Sequence, residues 1–292
     1  MQTIHDVESL RTLLADLRAS NQRIALVPTM GALHAGHLAL VHLAQRHADR
    51  VIVSIFVNPK QFGPKEDYDA YPRTLAADQA ELIAAGVDLL WAPSAAVMYP
   101  PGFATTVSVA GLGDHLCGAE RPGHFDGVAT VVTKLFAQIR PDVALFGEKD
   151  WQQLAIIRRL NDDLNLGVEI KAGPIVREAD GLALSSRNAY LDPAQRAIAA
   201  HFPKILQSVC RAVADGVDVT KALGTGRAAL ESIGVDRVDY LEIIDRDSLT
   251  ILSQVNDAEG RRIARLIAAV RIGPTRLIDN MAVYERINLA ER

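Results

Sequence analysis

The chain has 292 residues, 49% of them hydrophobic and 23% charged, with a formal net charge of −4, the profile of a globular protein of one large or two moderate domains. The mild acidity gives no general attraction to nucleic acid or to an anionic membrane surface, and the longest apolar runs, such as residues 51–57, are too short to span a bilayer. Cys117 and Cys210 form neither a metal-binding spacing nor a disulfide framework, and the N-terminal residues lack the layout of a secretory signal. A cytoplasmic protein is therefore expected.

Val7, Leu10, Leu13, Leu14 and Leu17 repeat at helical spacing behind Asp6, a candidate N-cap. An apolar run, residues 24–27, then reads as a buried strand cut off by Pro28. The alternation continues with a helix over 37–48, a strand over 51–57, a helix over 74–85 and a strand over 87–91. Residues 128–139 follow as a helix, 143–146 as a strand and 151–160 as a helix. Fully apolar strands alternating with helices predict an α/β fold, a doubly wound, Rossmann-like parallel sheet covered on both faces. After about residue 176 the pattern changes. Helical stretches over 193–214 and 220–232 precede strand-like 238–244 and 262–270 with no helix between them, which predicts a smaller α+β C-terminal domain. The expected division is 1–175 and 176–292. Residues 58–73, rich in Pro, Gly, Asp and Tyr, form a long loop of the kind that is functional or disordered.

The turn from Pro28 to His37 joins the first long strand to a helix, and in a doubly wound sheet such a turn faces the ligand site. His34 and His37 lie three apart, on one face if helical, at a helix N-terminus that favours an anion. Gly36 leaves room where a phosphate or base would approach. Two imidazoles there can donate to phosphoryl oxygens; the other readings are a helix-capping pair or half of a zinc site, for which no further ligands stand nearby.

This His34-x-Gly36-His37 motif is similar to that of the nucleotidyltransferase superfamily. Four blocks around it narrow the likeness: residues 28–38, 56–63 with Glu66, Asp67, Tyr71 and Arg73, 146–150 with Gln152 and Gln153, and 176–188, with a weaker return at 276–280. Together they resemble the pantothenate synthetase family from about residue 24 to 188. The resemblance implies a ligase that uses ATP to adenylate (R)-pantoate and then passes the pantoyl group to β-alanine, with Mg²⁺ beside the triphosphate and a homodimer formed through the nucleotide-binding domain. It implies ATP contacts at Met30, Gly31, Ala32, Leu33, His34, Ala35, Gly36, His37, Gly147, Glu148, Lys149, Asp150, Val176, Leu184, Ser185, Ser186 and Arg187. It gives His37 an acid role toward the leaving pyrophosphate and has the smaller domain close over the ATP site.

The residues suit those roles. His34, His37, Lys149 and Arg187 are the candidate catalytic set. Lys149, between a strand and a helix, can bring a flexible cation to phosphates, or it can be a solvated lysine in a surface loop. Ser185, Ser186 and Arg187 offer hydroxyls and a bidentate guanidinium, or form a capped turn. Gln61 and Gln153 both donate and accept without charge, which suits a hydroxy acid whose carboxylate must stay reactive. Asp78 is the candidate Mg²⁺ ligand, or a solvated helix face. His124 falls in a further matching stretch and reads as adjacent to the site. An adenylyltransferase for phosphate esters would want more cations around the acceptor than 58–73 supplies. A tRNA synthetase would need an RNA-binding appendage, and a non-catalytic ATP-binding module would not need both histidines with Lys149 and Arg187.

Overall fold

The computed structural model describes residues 1–64, 66–255 and 263–284. They divide into two units, residues 1–176 and 177–292. In the first, the apolar runs become interior strands, because a segment with no polar face is stable only when both faces are covered. In chain order it contains β1 (Gln2–Ile4), α1 (Val7–Ala19), β2 (Ile24–Thr29), α2 (Ala35–Gln45), β3 (Arg50–Ile55), α3 (Leu75–Ala84), β4 (Leu89–Trp91), two single turns α4 (Ala95–Met98) and α5 (Cys117–Glu120), α6 (His124–Ile139), β5 (Val143–Gly147), α7 (Trp151–Asp163) and β6 (Glu169–Gly173). Asp6 caps α1 as expected, accepting from the Ser9 N–H at 2.8 Å.

The strands form one parallel sheet in the order β1-β4-β3-β2-β5-β6. On one face Ala25, Val27, Val51, Val53, Leu90, Val143 and Leu145 pack with Leu40, Val41 and Ala44 of α2 and Leu82 of α3. Residues between them, such as Leu26, Ile52 and Ala144, are equally buried and point to the other face. The chain steps from β2 out to β3 and β4, then returns to β5 on the opposite side of β2, so the order reverses between β2 and β5.

The second unit holds α8 (Pro193–Ala199), α9 (Phe202–Ala214), α10 (Val219–Ser232) and the strands β7 (Arg237–Asp245), β8 (Ala264–Ile272) and β9 (Thr275–Ala282), an antiparallel sheet in that order. Leu206, Val209 and Val213 of α9 and Leu230 of α10 cover Leu241, Ile243, Leu266, Ala268 and Val270. Gly273, at φ +55°, allows the two-residue turn between β8 and β9. The single helix expected over 193–214 is broken at Ala200 and His201, and Pro203, in the first turn of α9, has no N–H to continue the ladder. The strand expected from 262 begins at Ala264; Arg262 lies outside the described residues.

Candidate active site

The loops leaving β2 and β5 start from neighbouring strands where the sheet order reverses, the position at which open α/β sheets bind ligands. The β2–α2 turn is tightly built. Gly31 lies at φ +82° and Ala32 at φ +50°, a conformation that costs a residue with a Cβ about 1–2 kcal/mol. Asp78 of α3 holds it there: its carboxylate accepts from the N–H groups of Ala32 at 3.0 Å and Leu33 at 2.8 Å and from the Thr74 hydroxyl at 3.2 Å. A side chain at Gly31 would put a Cβ 3.0 Å from Asp78 Oδ2 and 3.1 Å from Ile55 Cγ2. Asp78 is only 3% exposed. Asp78, the expected Mg²⁺ ligand, is seen here as a brace: each of its oxygens accepts from a backbone donor of the turn. Among the described residues no group of three or more His, Cys, Asp or Glu side chains could hold a metal ion, so the half-zinc reading of the histidines also finds no partners.

His34 is the N-cap of α2, and its Nδ1 accepts from the Gly36 N–H at 3.1 Å. A nitrogen that accepts carries no proton, so the neutral ring is protonated at Nε2. Gly36 makes room for this ring, because a Cβ there would lie 2.9 Å from His34 Cε1. The space expected for a phosphate or base at Gly36 therefore holds the imidazole. The rings of His34 and His37 are 4.1 Å apart between centroids and tilted by 34°. Burial first, then the nearby charges of His34 and Lys149, hold His37 down to about 3 against the opposing pull of Asp150. His34 is lowered too, by burial and then Lys149. Both rings are neutral near pH 7. The amides of Ala32, Leu33 and Gly36 are engaged within the protein, and the two imidazoles add N–H donors that the turn can offer an anion.

At the end of β5 a 3-10 turn, Glu148–Asp150, leads into α7 and carries Lys149; its charge reaches both histidines. Gln153 is half-buried in the first turn of α7. Its neighbour Gln152 is committed elsewhere, accepting from the Cys117 N–H at 3.0 Å and donating to the carbonyls of Leu112 and His115, each at 2.8 Å. Val176, the last residue of this unit, approaches α2 at Gly36, where an added Cβ would lie 3.9 Å from its own.

Gln61 ends another 3-10 turn, Pro59–Gln61, in the long loop. Its Nε2 donates to Met30 Sδ at 3.0 Å, which places it beside the β2–α2 turn. A network that sequence reasoning missed holds it from behind. His124 Nδ1 donates to the Gln61 carbonyl at 2.8 Å, and Arg121 donates to His124 Nε2 at 3.0 Å. Arg121 also grips Glu66 through Nε at 2.6 Å and Nη2 at 2.7 Å. Burial works to raise Glu66, yet Arg121 and the Gly63 N–H bring it to about 2. His124 is held down to about 3, by burial first and then by Arg121. The partners lie 55 and 63 residues apart, and no local pattern marks such pairs.

These shifts predict acid sensitivity. His124 is neutral when folded, while an unfolded histidine titrates near 6.5. Between about pH 6.5 and about 3 the unfolded chain binds more protons, so the contribution of His124 is complete above that window and falls as pH falls through it. Each such histidine removes at most about 1.4 kcal/mol per pH unit. Urea unfolding of a His124→Asn variant should show a pH slope shallower by about one proton than the parent; an unchanged slope would exclude the neutral buried form.

In the second unit Ser185 caps the 3-10 turn Ser186–Tyr190 and accepts from the Arg187 N–H at 3.3 Å. Leu184, Ser185, Ser186 and Arg187 follow a tightly held hairpin. Asn188 donates to Glu178 at 2.7 Å and to the Ala183 carbonyl at 3.1 Å. Arg196 bridges Glu178 and Asp180 at 2.6 and 2.7 Å, and Arg177 pairs in bidentate fashion with buried Asp279 at 2.7 and 2.9 Å.

Known proteins resemble this chain in sequence and fold. A sequence model of the pantoate-beta-alanine ligase family matches residues 2–282. A pantothenate synthetase from Sphingopyxis alaskensis is 59% identical over 97% of this chain and 100% of its own length, and one from Caulobacter vibrioides is 51% identical over 96% and 98%. The crystal structure of pantothenate synthetase from Thermus thermophilus superposes with a TM-score of 0.91 at 48% identity, covering 98% of this chain and 100% of that one. A Francisella tularensis pantoate-beta-alanine ligase, complexed with beta-gamma ATP and beta-alanine, gives a TM-score of 0.82 at 34% identity over 97% and 98%. With a match along nearly the whole chain in both sequence and fold, the chain belongs to the pantoate–β-alanine ligase family.

Proposed function

We infer that the chain condenses (R)-pantoate with β-alanine at the expense of ATP, giving (R)-pantothenate, AMP and pyrophosphate, the step that forms vitamin B5 for coenzyme A biosynthesis. Beside the family, the observation that carries this reading is the pair of stacked, neutral histidines at the start of α2, within reach of the Lys149 charge at the sheet's reversal point. A pantoate carboxylate oxygen attacks the α-phosphorus of ATP; the bond from that phosphorus to the bridging oxygen breaks and pyrophosphate leaves. The β-alanine amine then attacks the acyl carbon of pantoyl adenylate, the carbon–oxygen bond to AMP breaks, and the amine loses a proton.

The protein's work in both steps is alignment and charge stabilisation. His34 and His37 donate from neutral rings to oxygens on which charge builds, Lys149 supplies the cation, and Gln61 and Gln153 hold pantoate. Ser185, Ser186 and Arg187 bind ATP phosphates. Mg²⁺, when bound, screens the triphosphate. Among the described residues no group of three or more His, Cys, Asp or Glu side chains could hold it, and phosphate oxygens and water would supply most of its coordination, a common arrangement for this ion. We take the enzyme to act in the cytoplasm as a homodimer; no helix among the described residues is long and apolar enough to cross a membrane.

Isotope exchange tests the reaction. Enzyme, Mg-ATP and pantoate without β-alanine should pass labelled pyrophosphate into ATP. Labelled oxygen in the pantoate carboxylate should reach AMP once β-alanine is added. Pyrophosphate release that strictly requires β-alanine would eliminate the adenylate route.

A further inference from the structure

Asn58 is 1% exposed, and its backbone neighbours allow its amide a single orientation. Oδ1 lies 3.2 Å from the Lys60 N–H, which can only donate, and Nδ2 lies 3.0 Å from the Gly127 carbonyl of α6, which can only accept. The Tyr99 hydroxyl, 2.8 Å from Oδ1, therefore donates to it. The other Nδ2 proton goes to the side chain of Gln61 at 3.1 Å. That contact requires an acceptor, so the oxygen of the Gln61 amide faces Asn58 and its NH₂ faces away. There it meets Met30 Sδ at 3.0 Å, a weak acceptor that a substrate oxygen can displace at small cost.

We propose that Asn58 and Tyr99 are positioning residues that fix Gln61 as a hydrogen-bond donor toward the acid substrate. A glutamine free to turn presents either end, and loses selectivity between a ligand lone pair and a ligand N–H or O–H. With its oxygen pinned, Gln61 selects an oxygen lone pair at that point, from a hydroxyl or a carboxylate, and leaves a ligand offering only a donor unpaired. The proposal rests on the reading of Gln61 as the pantoate-binding glutamine. Tyr99 suits the role, because burial pushes its hydroxyl far above its ordinary range and it stays protonated at any working pH.

The side-chain amide signal of Gln61, in ¹⁵N-labelled enzyme and identified by its loss in Gln61→Glu, reports this polarity directly. Saturating pantoate should move one Gln61 amide proton downfield. In Asn58→Asp the carboxylate cannot donate to Gln61, whose NH₂ turns inward. The pantoate-induced shift should disappear and KM for pantoate rise roughly tenfold to a hundredfold, with KM for ATP within about twofold of the parent. In Tyr99→Phe the Lys60 and Gly127 contacts keep the orientation, so the shift should survive with KM for pantoate raised only severalfold. A purely structural role would move both Michaelis constants and leave the spectral response of the folded fraction intact. Wild-type enzyme that exchanges pyrophosphate with pantoate yet shows no Gln61 shift overturns the polarity proposal alone. Enzyme that neither binds nor uses pantoate overturns the reading of the site instead. If Asn58→Asp does not fold, the wild-type shift and its survival in Tyr99→Phe decide the matter.

Discussion

Alanine at His37 is expected to lower kcat roughly a hundredfold or more, the usual effect of losing one donor to a charge-developing oxygen, worth about 3 kcal/mol. The ring is not tied into the fold through Nδ1, which is shielded from solvent with no hydrogen-bond partner among the described residues, and it packs against His34 at a centroid distance of 4.1 Å. The melting temperature should therefore stay within about 4 °C of the parent, and KM for ATP should change far less than kcat. The buried, depressed ring also favours a hydrogen-bond donor over an imidazolium acid in the unliganded enzyme. A His37→Gln variant, which keeps an N–H, should recover part of the loss. Near-normal turnover in His37→Ala would remove the histidine from the chemistry.

A large stability effect is expected at Gly127. A Cβ there would sit 2.2 Å from the Lys60 carbonyl oxygen, 2.5 Å from its carbon and 2.6 Å from the Gln61 nitrogen. All three are backbone atoms of the 3-10 turn against which α6 packs, and no side chain can swing aside to relieve the overlap. Gly127→Ala should cost about 3 kcal/mol in urea unfolding. In whatever folds, the turn is displaced and KM for pantoate rises. Gly123 is the control: it sits at φ +81° with nothing within 4 Å of an added Cβ. Gly123→Ala should cost only the conformational penalty of about 1–2 kcal/mol and leave KM unchanged. Equal losses of stability and of pantoate affinity in the two variants would show that the contact with the turn is not what matters.

Interior strands were legible in the sequence because burial on both faces favours apolar residues throughout: β2, β3 and β5 stand out by their apolar stretches 24–27, 51–53 and 143–146. The edge strand β6, Glu-Ile-Lys-Ala-Gly, was not, since its exposed Glu169 and half-buried Ile170 and Lys171 make no such run. The three-residue β1 is too short to show a period. Helical spacing carried across the break between α8 and α9, where Pro203 was the overlooked signal. In the site, His34, His37 and Lys149 could be placed because each occupies a strand–helix junction. The brace at Asp78 and the contacts of Gly127 and Tyr99 with Asn58 could not, because they join residues 41 to 69 apart, and distance along the chain says nothing about proximity in a fold. At Asp78 an acidic residue near a phosphate-binding motif suggests a metal, and its burial against two amides adds a bracing role that the sequence did not reveal.

The reversal of strand order between β2 and β5 also governs when this enzyme can become active as it is made. The residues of the β2–α2 turn, both histidines included, lie within the first forty or so, yet the Asp78 brace, Lys149 and the strand that flanks β2 come later: Asp78 lies 45 and 46 residues from the amides it holds, and the Ile24 N–H donates to Asp142 across 118 residues. Closing so long a loop is slow, and its entropic cost precedes any contact that rewards it. Until β5 docks, β2 lacks a neighbour on one side and the histidines lack their cation. An emerging chain stalled short of residue 150 should thus carry the motif and bind no nucleotide through it. Competence arrives only with closure of the whole sheet, which ties activity to completed folding and keeps a half-made ligase from consuming ATP.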